Sequence, residues 1–377
     1  MRDGERRVVV TGMGAVTPLG NDVASFWDGL VDGRSGIGPI TVFDPVNVPS
    51  KIAGEVRGFD ADAIMPKKEV RRNDRYVHFA WAATAEAMRD ADLPNPIVDE
   101  ALAWRTGAII GSGIGGINTM IRDIIEAHDL GIDRIGPFLV TAMIPDMAAG
   151  YIAIYANARG PNYATVSACA TSNHAIGDAF HIIRRGEARM MIAGGTEAAL
   201  THISFAGYSA ARALATEYDS PETASRPFDA RRNGFVHGEG AAILVMESLQ
   251  SARARGAPIL AEVLGMGMSS DAHHITAPRE DGAGAAKAMG RALRNAGITP
   301  DEVDYINAHG TSTPLGDIAE TRAIRALFGE HADGLMVSST KSMLGHSLGA
   351  TAAVEAGLTV LALHHGIVPP TINLTDP

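Results

Sequence analysis

The chain has 377 residues, of which 46% are hydrophobic and 20% are charged, a composition typical of a large globular protein with a well-packed core. Its formal net charge of −11 argues against nucleic acid as the general partner, because phosphate backbones attract positive surfaces. The single cysteine excludes a disulfide framework and a cysteine-rich metal site, and no segment resembles an export signal or a membrane span, so we expect a cytoplasmic protein.

Short β-branched runs alternate with helical patterns along the chain, which indicates an α/β fold. The predicted strands cover residues 8–12, 106–110, 259–268 and 303–308, and the predicted helices cover residues 79–91, 285–296 and 317–328. This alternation occurs in both parts of the chain, so we predict two similar halves, residues 1–256 and 257–377. Polar loops should follow the strands of each half, as in parallel sheets covered by helices, and the two sets of loops should face each other.

Cys169 lies where a strand-like run over residues 162–168 meets a helical pattern that continues through Ile183. At a helix N-terminus the dipole and the unpaired N–H groups favour a thiolate and can stabilise an oxyanion. A lone cysteine is more often an inert buried residue, however. This position alone therefore leaves a catalytic and a structural interpretation open.

Two histidines follow predicted strands in the second half. His309 comes after the strand over residues 303–308 and is surrounded by hydroxyl residues, and His346 follows the serine-rich segment 338–342. Because ligands bind beyond the carboxyl ends of such strands, both positions favour an active-site role over a purely structural one.

Glu355 is the only charged residue between positions 347 and 363, in an apolar run that predicts a buried helix. A buried carboxylate needs a partner, and Lys341 on the preceding loop is the candidate. We expect this pair to fix the geometry and the charge around His346 without reacting itself.

Two other motifs point to different enzyme classes. Residues 111–116 (GSGIGG) match a dinucleotide fingerprint, but no acidic strand end follows about 20 residues later. Residues 345–349 (GHSLG) match a hydrolase nucleophile elbow with Ser347 as the nucleophile, but five residues separate the motif from its strand. Both alternatives are disfavoured.

A basic cluster stands out in this acidic protein and comprises Lys67, Lys68, Arg71, Arg72 and Arg75. The simpler interpretation is a solvated helix face. The functional interpretation is a docking site for an acidic partner.

Taken together, three motifs resemble the β-ketoacyl-[acyl carrier protein] synthases: residues 166–172 (VSACATS), 309–313 (HGTST) and 341–346 (KSMLGH). Residues 224–229 (ASRPFD), 238–241 (GEGA) and 369–374 (PPTINL) extend the resemblance over essentially the whole chain. The resemblance implies a thiolase-like fold, in which duplicated halves form five α-β-α-β-α layers, and a homodimer.

The resemblance also implies a mechanism. Cys169 receives an acyl group from acyl carrier protein, malonyl carrier protein loses carbon dioxide, and the enolate attacks the acyl-enzyme. His309 and His346 hydrogen-bond the malonyl thioester carbonyl, where negative charge develops. No metal or cofactor is implied, because phosphopantetheine arrives on the carrier protein.

The same likeness assigns further residues. Thr311 and Thr313 would bind the phosphopantetheine arm, and Asp317 and Glu320 would hold the Lys341 network. The acyl pocket would be lined by Ile114, Leu139, Val140 and Tyr208. Carrier protein would dock on Lys68, Arg71, Arg72, Arg134 and Arg212.

The family resemblance leaves some choices open. Ile114 resembles the acyl-pocket residue of type II enzymes, which we favour, although residues 169–173 (CATSN) are closer to type I-like plastid enzymes. A polyketide ketosynthase would use the same residues, whereas a non-catalytic chain-length factor would characteristically lack Cys169. Family members continue beyond the position of Pro377 into a glycine-rich loop, so we expect an incomplete second sheet. Asp133 replaces a usual basic residue, so we expect weaker docking there.

Overall fold

A computed structural model describes residues 6–377. The strands are β1 (Val8–Val16), β2 (Ile37–Pro39), β3 (Ile52–Gly54), β4 (Thr106–Gly111), β5 (Asn162–Tyr163), β6 (Met190–Glu197), β7 (Gly240–Ser248), β8 (Ala261–Val263), β9 (Tyr305–Asn307) and β10 (Met336–Ser338). The helices are α1 (Val23–Val31), α2 (Lys67–Arg72), α3 (Arg75–Asp90), α4 (Glu100–Ala103), α5 (Ile117–Leu130), α6 (Leu139–Met143), α7 (Met147–Ala156), α8 (Thr171–Arg185), α9 (His202–Ala210), α10 (Leu249–Arg255), α11 (Ala283–Ala296), α12 (Pro314–Phe328), α13 (Lys341–Leu344) and α14 (Thr351–His365).

The main sheet has six strands in the order β5-β4-β6-β7-β1-β8. Its central strands are buried on both faces, because successive side chains point to opposite sides and both sides are apolar. Ile110 packs with Phe79 of α3 on one face, and its neighbour Ile109 packs with Phe180 of α8 and Leu358 of α14 on the other. The sheet therefore lies between two helical layers.

A second, smaller sheet pairs β9 with β10 in parallel. Tyr305 packs against the core that contains α8 and α14, whereas Ile306 packs with Ile324 and Phe328 of α12. Leu293 of α11 joins the same outer cluster. The layers thus run α3/α7, main sheet, α8/α14, small sheet and α11/α12, which is the five-layered arrangement expected from the sequence.

The predicted strands and helices are present, but two expectations about the sheets were wrong. The main sheet is mixed, since β4 is parallel to β5 and β6, whereas β6, β7, β1 and β8 pair antiparallel. The strand predicted over residues 259–268 is only three residues long, and it pairs with β1. Beyond it, Gly267 lies so close to α11 that an added Cβ would be 2.0 Å from the Ala288 carbonyl oxygen. Packing against α11 therefore determines the path of this segment, and the division at residue 256 stays a prediction.

Helix length also bears on the expected absence of a membrane span. Within residues 6–377, none of the helices combines the length and the apolar character that a bilayer crossing requires.

Candidate active site

Cys169 lies in a single 3-10 turn directly before α8. The preceding Ala168 has φ +51°, a left-handed conformation that is strained for a residue with a Cβ. Two hydrogen bonds hold this turn, because Ser167 N donates to Thr171 Oγ1 at 2.8 Å and Thr165 Oγ1 donates to the Thr171 carbonyl at 2.8 Å. The turn presents the thiol at the N-terminus of a 15-residue helix, as the sequence predicted.

His346 is the nearest polar partner of the thiol, with 2.8 Å between His346 Nε2 and Cys169 Sγ. Its other ring nitrogen, Nδ1, lies 2.9 Å from Thr351 Oγ1, which in turn lies 3.1 Å from Ser347 Oγ. When Thr351 donates to Nδ1, the ring carries its proton on Nε2, so the N–H points toward the reacting sulfur. Thr351 therefore orients a hydrogen-bond donor into the site.

His309 brings a second imidazole to the same point. Its ring is perpendicular to that of His346 with 5.6 Å between the centroids, and one ligand atom from each of Cys169, His309 and His346 lies within 4.8 Å of the others. The loop is fixed by Glu320, which accepts from His309 N at 2.6 Å and from Gly310 N at 2.7 Å. The thiol thus faces two imidazoles that come from different loops.

Protein packing sets the charge state of these groups. Burial and the Lys341 ammonium lower the pKa of His309, and burial, Lys341 and His309 together lower the pKa of His346 well below its usual value. His309 is exposed to solvent, so burial affects its pKa less than that of His346, which is 3% exposed. Burial also raises the pKa of the Cys169 thiol, and Lys341 opposes that shift. At neutral pH the site therefore holds two neutral imidazoles that can donate N–H groups.

Lys341 and Glu355 form the expected ion pair between Lys341 Nζ and Glu355 Oε1. The Lys341 side chain is 2% exposed and that of Glu355 is 14% exposed. Burial raises the pKa of Glu355, and the adjacent ammonium opposes the shift. Because an unpaired charge here would be strongly unfavourable, each residue keeps the other in place.

Two expectations concern the loop that carries His309 and the helix α12 that follows it, and the structure contradicts one of them. Thr311 Oγ1 and Thr313 Oγ1 lie 2.9 Å apart, so the two hydroxyls are side by side. Asp317 and Glu320 do not bond to Lys341, which corrects the prediction that they hold its network. Asp317 accepts from Phe228 N at 2.8 Å, and Glu320 binds the backbone of the His309 loop, since both project from the first turns of α12 toward neighbouring backbone. Both carboxylates therefore position neighbouring loops.

The four predicted acyl-pocket residues come from three separate segments of this chain, and Val140 is turned away from the core. Ile114 follows β4, and Tyr208 packs on Phe235, whose ring centroid lies 5.4 Å from that of His346. Leu139 instead lines a cleft beside the basic cluster, and Val140 is 57% exposed. The physical reason is that α6 packs against α5 and α7 and turns Val140 outward.

Three of the five predicted docking residues lie together. Arg71, Arg72 and Arg134 line a cleft of about 200 Å³, which also contains Arg122, a residue that the sequence interpretation missed. The Arg72 guanidinium stacks over Phe138 at 4.7 Å. Lys68 and Arg212 are exposed but do not line this cleft.

The sequence interpretation also missed two residues beside the catalytic loops. Thr351 orients His346, and Glu197 ends β6 and accepts four hydrogen bonds from the loops around it. A carboxylate at the end of the buried apolar run over residues 190–197 was the available signal for Glu197. No local pattern distinguishes Thr351 from other helix-start threonines.

Comparison with known proteins decides the family. The profile of the β-ketoacyl synthase N-terminal domain matches residues 5–252, and that of the C-terminal domain matches residues 260–375. The chain belongs to the β-ketoacyl synthase family. The sequence-based identification of a condensing enzyme is thereby confirmed.

Curated relatives of this β-ketoacyl synthase extend over nearly its whole length. It is 50% identical to 3-oxoacyl-[acyl-carrier-protein] synthase 2 of Synechocystis over 373 residues, which cover 99% of this chain and 89% of that protein. It is 51% identical to the protein of the same name from Staphylococcus aureus strain MRSA252 over 371 residues, with 98% and 89% coverage.

Solved structures confirm the ketosynthase fold. A ketosynthase of a type II polyketide system, bound to its acyl carrier protein and a hexaketide, gives a TM-score of 0.92 at 33% identity and covers 99% of this chain and 90% of that one. A β-ketoacyl synthase from Burkholderia phymatum gives 0.90 at 36% identity, with 98% and 89% coverage. The five-layered thiolase-like architecture is thus shared with these enzymes.

Proposed function

We propose that this β-ketoacyl synthase condenses an acyl group held on Cys169 with malonyl-[acyl carrier protein] and releases 3-oxoacyl-[acyl carrier protein] and carbon dioxide. The observation that supports this reaction most directly is the 2.8 Å approach of His346 Nε2 to Cys169 Sγ at a helix N-terminus, with His309 beside it. This arrangement supplies a nucleophile and two neutral N–H donors. Those are the groups that the two half-reactions require.

In the first half-reaction, the Cys169 sulfur attacks the thioester carbonyl of an acyl carrier protein. A C–S bond forms, the carbonyl oxygen becomes an oxyanion, and the N–H groups at the start of α8 lie where they can stabilise it. The bond to the pantetheine sulfur then breaks, and that thiol leaves with the proton that Cys169 gives up. The nucleophile now carries the acyl group.

In the second half-reaction, the malonyl thioester loses carbon dioxide, and the electron pair of the broken C–C bond forms an enolate. Negative charge develops on the thioester oxygen, where His309 and His346 donate hydrogen bonds. The enolate carbon attacks the acyl carbonyl, and the Cys169 sulfur leaves as a thiolate that then regains a proton. The nearby Lys341 ammonium favours the negative intermediates without making a bond to them.

Fatty-acid elongation is the favoured pathway over polyketide synthesis. The relatives at 50–51% identity are named as 3-oxoacyl-[acyl-carrier-protein] synthases, whereas the solved polyketide ketosynthase is 33% identical. Cys169 also argues against a non-catalytic chain-length factor. A type II enzyme in the cytoplasm is consistent with the single cysteine.

Acyl carrier protein is the proposed macromolecular partner. The cleft of Arg71, Arg72, Arg122 and Arg134 also contains Asp123 and Glu126, so its four arginines outnumber its two carboxylates on a protein of net charge −11, and carrier proteins are acidic. One solved relative is bound to its own carrier protein. Electrostatic attraction would bring the acyl thioester to this side of the molecule.

A second copy of this chain is the other proposed partner. Apolar side chains of α5, α6, α7 and the edge strand β5 are exposed, namely Ile124, Ile125, Val140, Ile154 and Tyr163. Large apolar side chains that are exposed on neighbouring elements are a feature of protein interfaces. Ile154→Asp should convert a dimer to a monomer in sedimentation measurements, and an unchanged oligomeric state would argue against this face.

The decisive experiment incubates the protein with acyl carrier proteins of different chain lengths and locates the covalent adduct by mass spectrometry. We expect one acyl group on Cys169 and none on Cys169→Ser under the same conditions. Subsequent addition of malonyl carrier protein should remove the adduct and yield 3-oxoacyl product. Modification at another residue would exclude the proposed reaction.

A further inference from the structure

Glu197 is a fully buried carboxylate that the reaction scheme does not use. It ends β6 and joins two loops of the active site. One is the acyl loop, residues 112–115, so named because it carries Ile114, which the family resemblance assigns to the acyl pocket. The other is the His346 turn, residues 346–351, which leads from His346 to Thr351. The geometry points to a role for this single side chain in holding the two loops at one relative position.

Each carboxylate oxygen accepts two hydrogen bonds. Oε1 accepts from Ser112 Oγ at 2.9 Å and from Ile114 N at 3.2 Å. Oε2 accepts from Gly113 N at 2.8 Å and from Gly349 N at 3.0 Å, so one oxygen bridges the acyl loop and the His346 turn directly. Burial raises the pKa of Glu197, but all four partners are donors and therefore favour the ionised form.

The glycines at this junction show how closely the two loops approach. A Cβ added to Gly349 would lie 2.3 Å from Gly113 N and 2.7 Å from Glu197 Oε2. Next to Gly349, Leu348 has φ +46°, a conformation that a branched side chain adopts only when its surroundings hold it. The turn that carries His346 is therefore held in a strained shape, and Glu197 is one of the groups that hold it.

We propose that Glu197 is a positioning residue that couples the acyl-binding loop to the orientation of His346. When an acyl chain displaces Ile114, the displacement passes through the Glu197 carboxylate to Gly349 and to the Thr351–His346 hydrogen bond. The length of the bound acyl chain then influences how well His346 donates to the malonyl oxygen. This inference rests on the proposed function and adds a cause of chain-length preference.

The test compares Glu197→Gln with the wild-type chain. Glutamine has one acceptor oxygen, so its NH₂ group faces either Ser112 Oγ and Ile114 N or Gly113 N and Gly349 N, and that set of hydrogen bonds is lost or weakened. We expect the ratio of condensation rates with lauroyl and butyryl carrier protein to change roughly 10-fold or more, because a hydrogen bond to a charged group is lost. Acylation of Cys169, measured separately by intact mass, should change much less.

Glu86→Gln is the matched control. Glu86 is also a largely buried carboxylate that bridges two segments, since it accepts from Ala15 N at 3.0 Å and from Val23 N at 2.9 Å, but it joins β1 to α1. Its substitution should lower the melting temperature and leave the lauroyl-to-butyryl ratio within about twofold. Glu197→Asp keeps the charge but is too short to reach both loops, so it should shift the ratio as Glu197→Gln does.

Each outcome is informative. If the lauroyl-to-butyryl rate ratio of Glu197→Gln lies within twofold of the wild-type ratio, the proposal is overturned. If that variant does not fold, Gly349→Ala replaces it, because the added Cβ would lie 2.3 Å from Gly113 N and so separates the same loops while residue 197 stays a glutamate, and an unchanged ratio there is equally contrary. Failure of the wild-type chain to form an acyl adduct on Cys169 would instead reject the proposed function.

Discussion

At the scale of residues, the site separates the tasks of nucleophile, donor and positioning group. Cys169 Sγ has one close partner, His346 Nε2, and that imidazole is kept neutral by burial and by Lys341. A neutral imidazole retains an N–H donor, whereas a cation would also attract the malonyl carboxylate and oppose its loss. Two neutral donors therefore suit a decarboxylation better than two charged ones.

The two histidines should be required for decarboxylation and less so for acylation. His309→Ala and His346→Ala each remove one donor to the developing enolate oxygen, which typically lowers the rate by about 10²–10³. Release of ¹⁴CO₂ from labelled malonyl carrier protein measures this step. Wild-type rates of carbon dioxide release in either variant would contradict the assigned role.

A metal ion should inhibit the enzyme and not support it. The three facing ligand atoms of Cys169, His309 and His346 form a set that Zn²⁺ prefers, but the proposed reaction uses them as nucleophile and donors. We expect EDTA to leave the condensation rate unchanged and Zn²⁺ to slow both condensation and alkylation of Cys169 by iodoacetamide. Loss of activity on chelation, with recovery on adding metal, would show the opposite.

At the scale of elements, loop termini place every reacting group. The 3-10 turn before α8 presents Cys169, the loop after β9 presents His309, and the turn before α14 presents His346. Each is tied by a side chain from a neighbouring element, namely Thr171, Glu320 and Thr351. The rigid helices and strands thus fix a geometry that the loops alone could not keep.

Thr351 can be tested without altering a reacting group. Thr351→Val keeps the shape but removes the hydroxyl that lies 2.9 Å from His346 Nδ1. We expect decarboxylation to fall about 10-fold, since the ring loses its preferred tautomer and orientation. Thr351→Ser should restore most of the rate. Equal loss in both variants, with a lowered melting temperature, would indicate a packing role only.

At the scale of the whole molecule, one core histidine gives the fold a dependence on pH. His237 is buried among the rings of Phe205, Tyr208 and Phe235. Burial lowers the pKa of His237 to about 4 from its ordinary 6.5. Between pH 6.5 and pH 4, His237 binds a proton more readily in the unfolded chain than in the folded one. The free energy of unfolding that neutral His237 contributes above pH 6.5 is therefore lost as the pH falls toward 4.

His237→Leu should remove the contribution of His237 to this dependence. The full shift corresponds to about 3 kcal/mol, so the variant should resist acid unfolding by up to that amount relative to the wild-type chain. Denaturant titrations at pH 7 and pH 4.5 measure the difference. If the two proteins lose the same free energy of unfolding between these pH values, other groups control the acid transition.

Charge on one face should control the encounter with carrier protein. Arg71→Glu should raise KM for acyl carrier protein by roughly 10-fold at low salt and reduce the salt dependence, because steering depends on the local field. Acylation by a small acyl thioester without a carrier should be unaffected. Arg253→Glu, an exposed arginine on α10, is the control. Equal effects of both substitutions on KM would indicate that the net charge of the protein, and not the position of Arg71, governs the encounter.

Much of the fold and the site could be predicted from local patterns. The β-branched run at the start of β1, the apolar periodicity of α3 and the loop positions of Cys169, His309 and His346 all depend on neighbours in sequence. The pairing of Lys341 with Glu355 followed from one charge in an apolar helix. These features were accessible because burial and hydrogen bonding impose the same periodicities in every chain.

Other features depended on contacts between distant segments. Cys169 and His346 are 177 positions apart, and Glu197 and Gly349 are 152 apart, so only the packing of α8 and α14 between the two sheets brings them together. The same packing sends β8 to the edge of β1, turns Val140 outward and directs Asp317 toward Phe228. The sequence by itself determined which chemical groups this protein has and which loops carry them, although α13 separates His346 from the strand end at which it was expected. Only the tertiary structure decided which of these groups come into contact. The reason is that close backbone approach at glycines, and the placement of a buried carboxylate between two loops, leave no periodic pattern in the sequence of either segment.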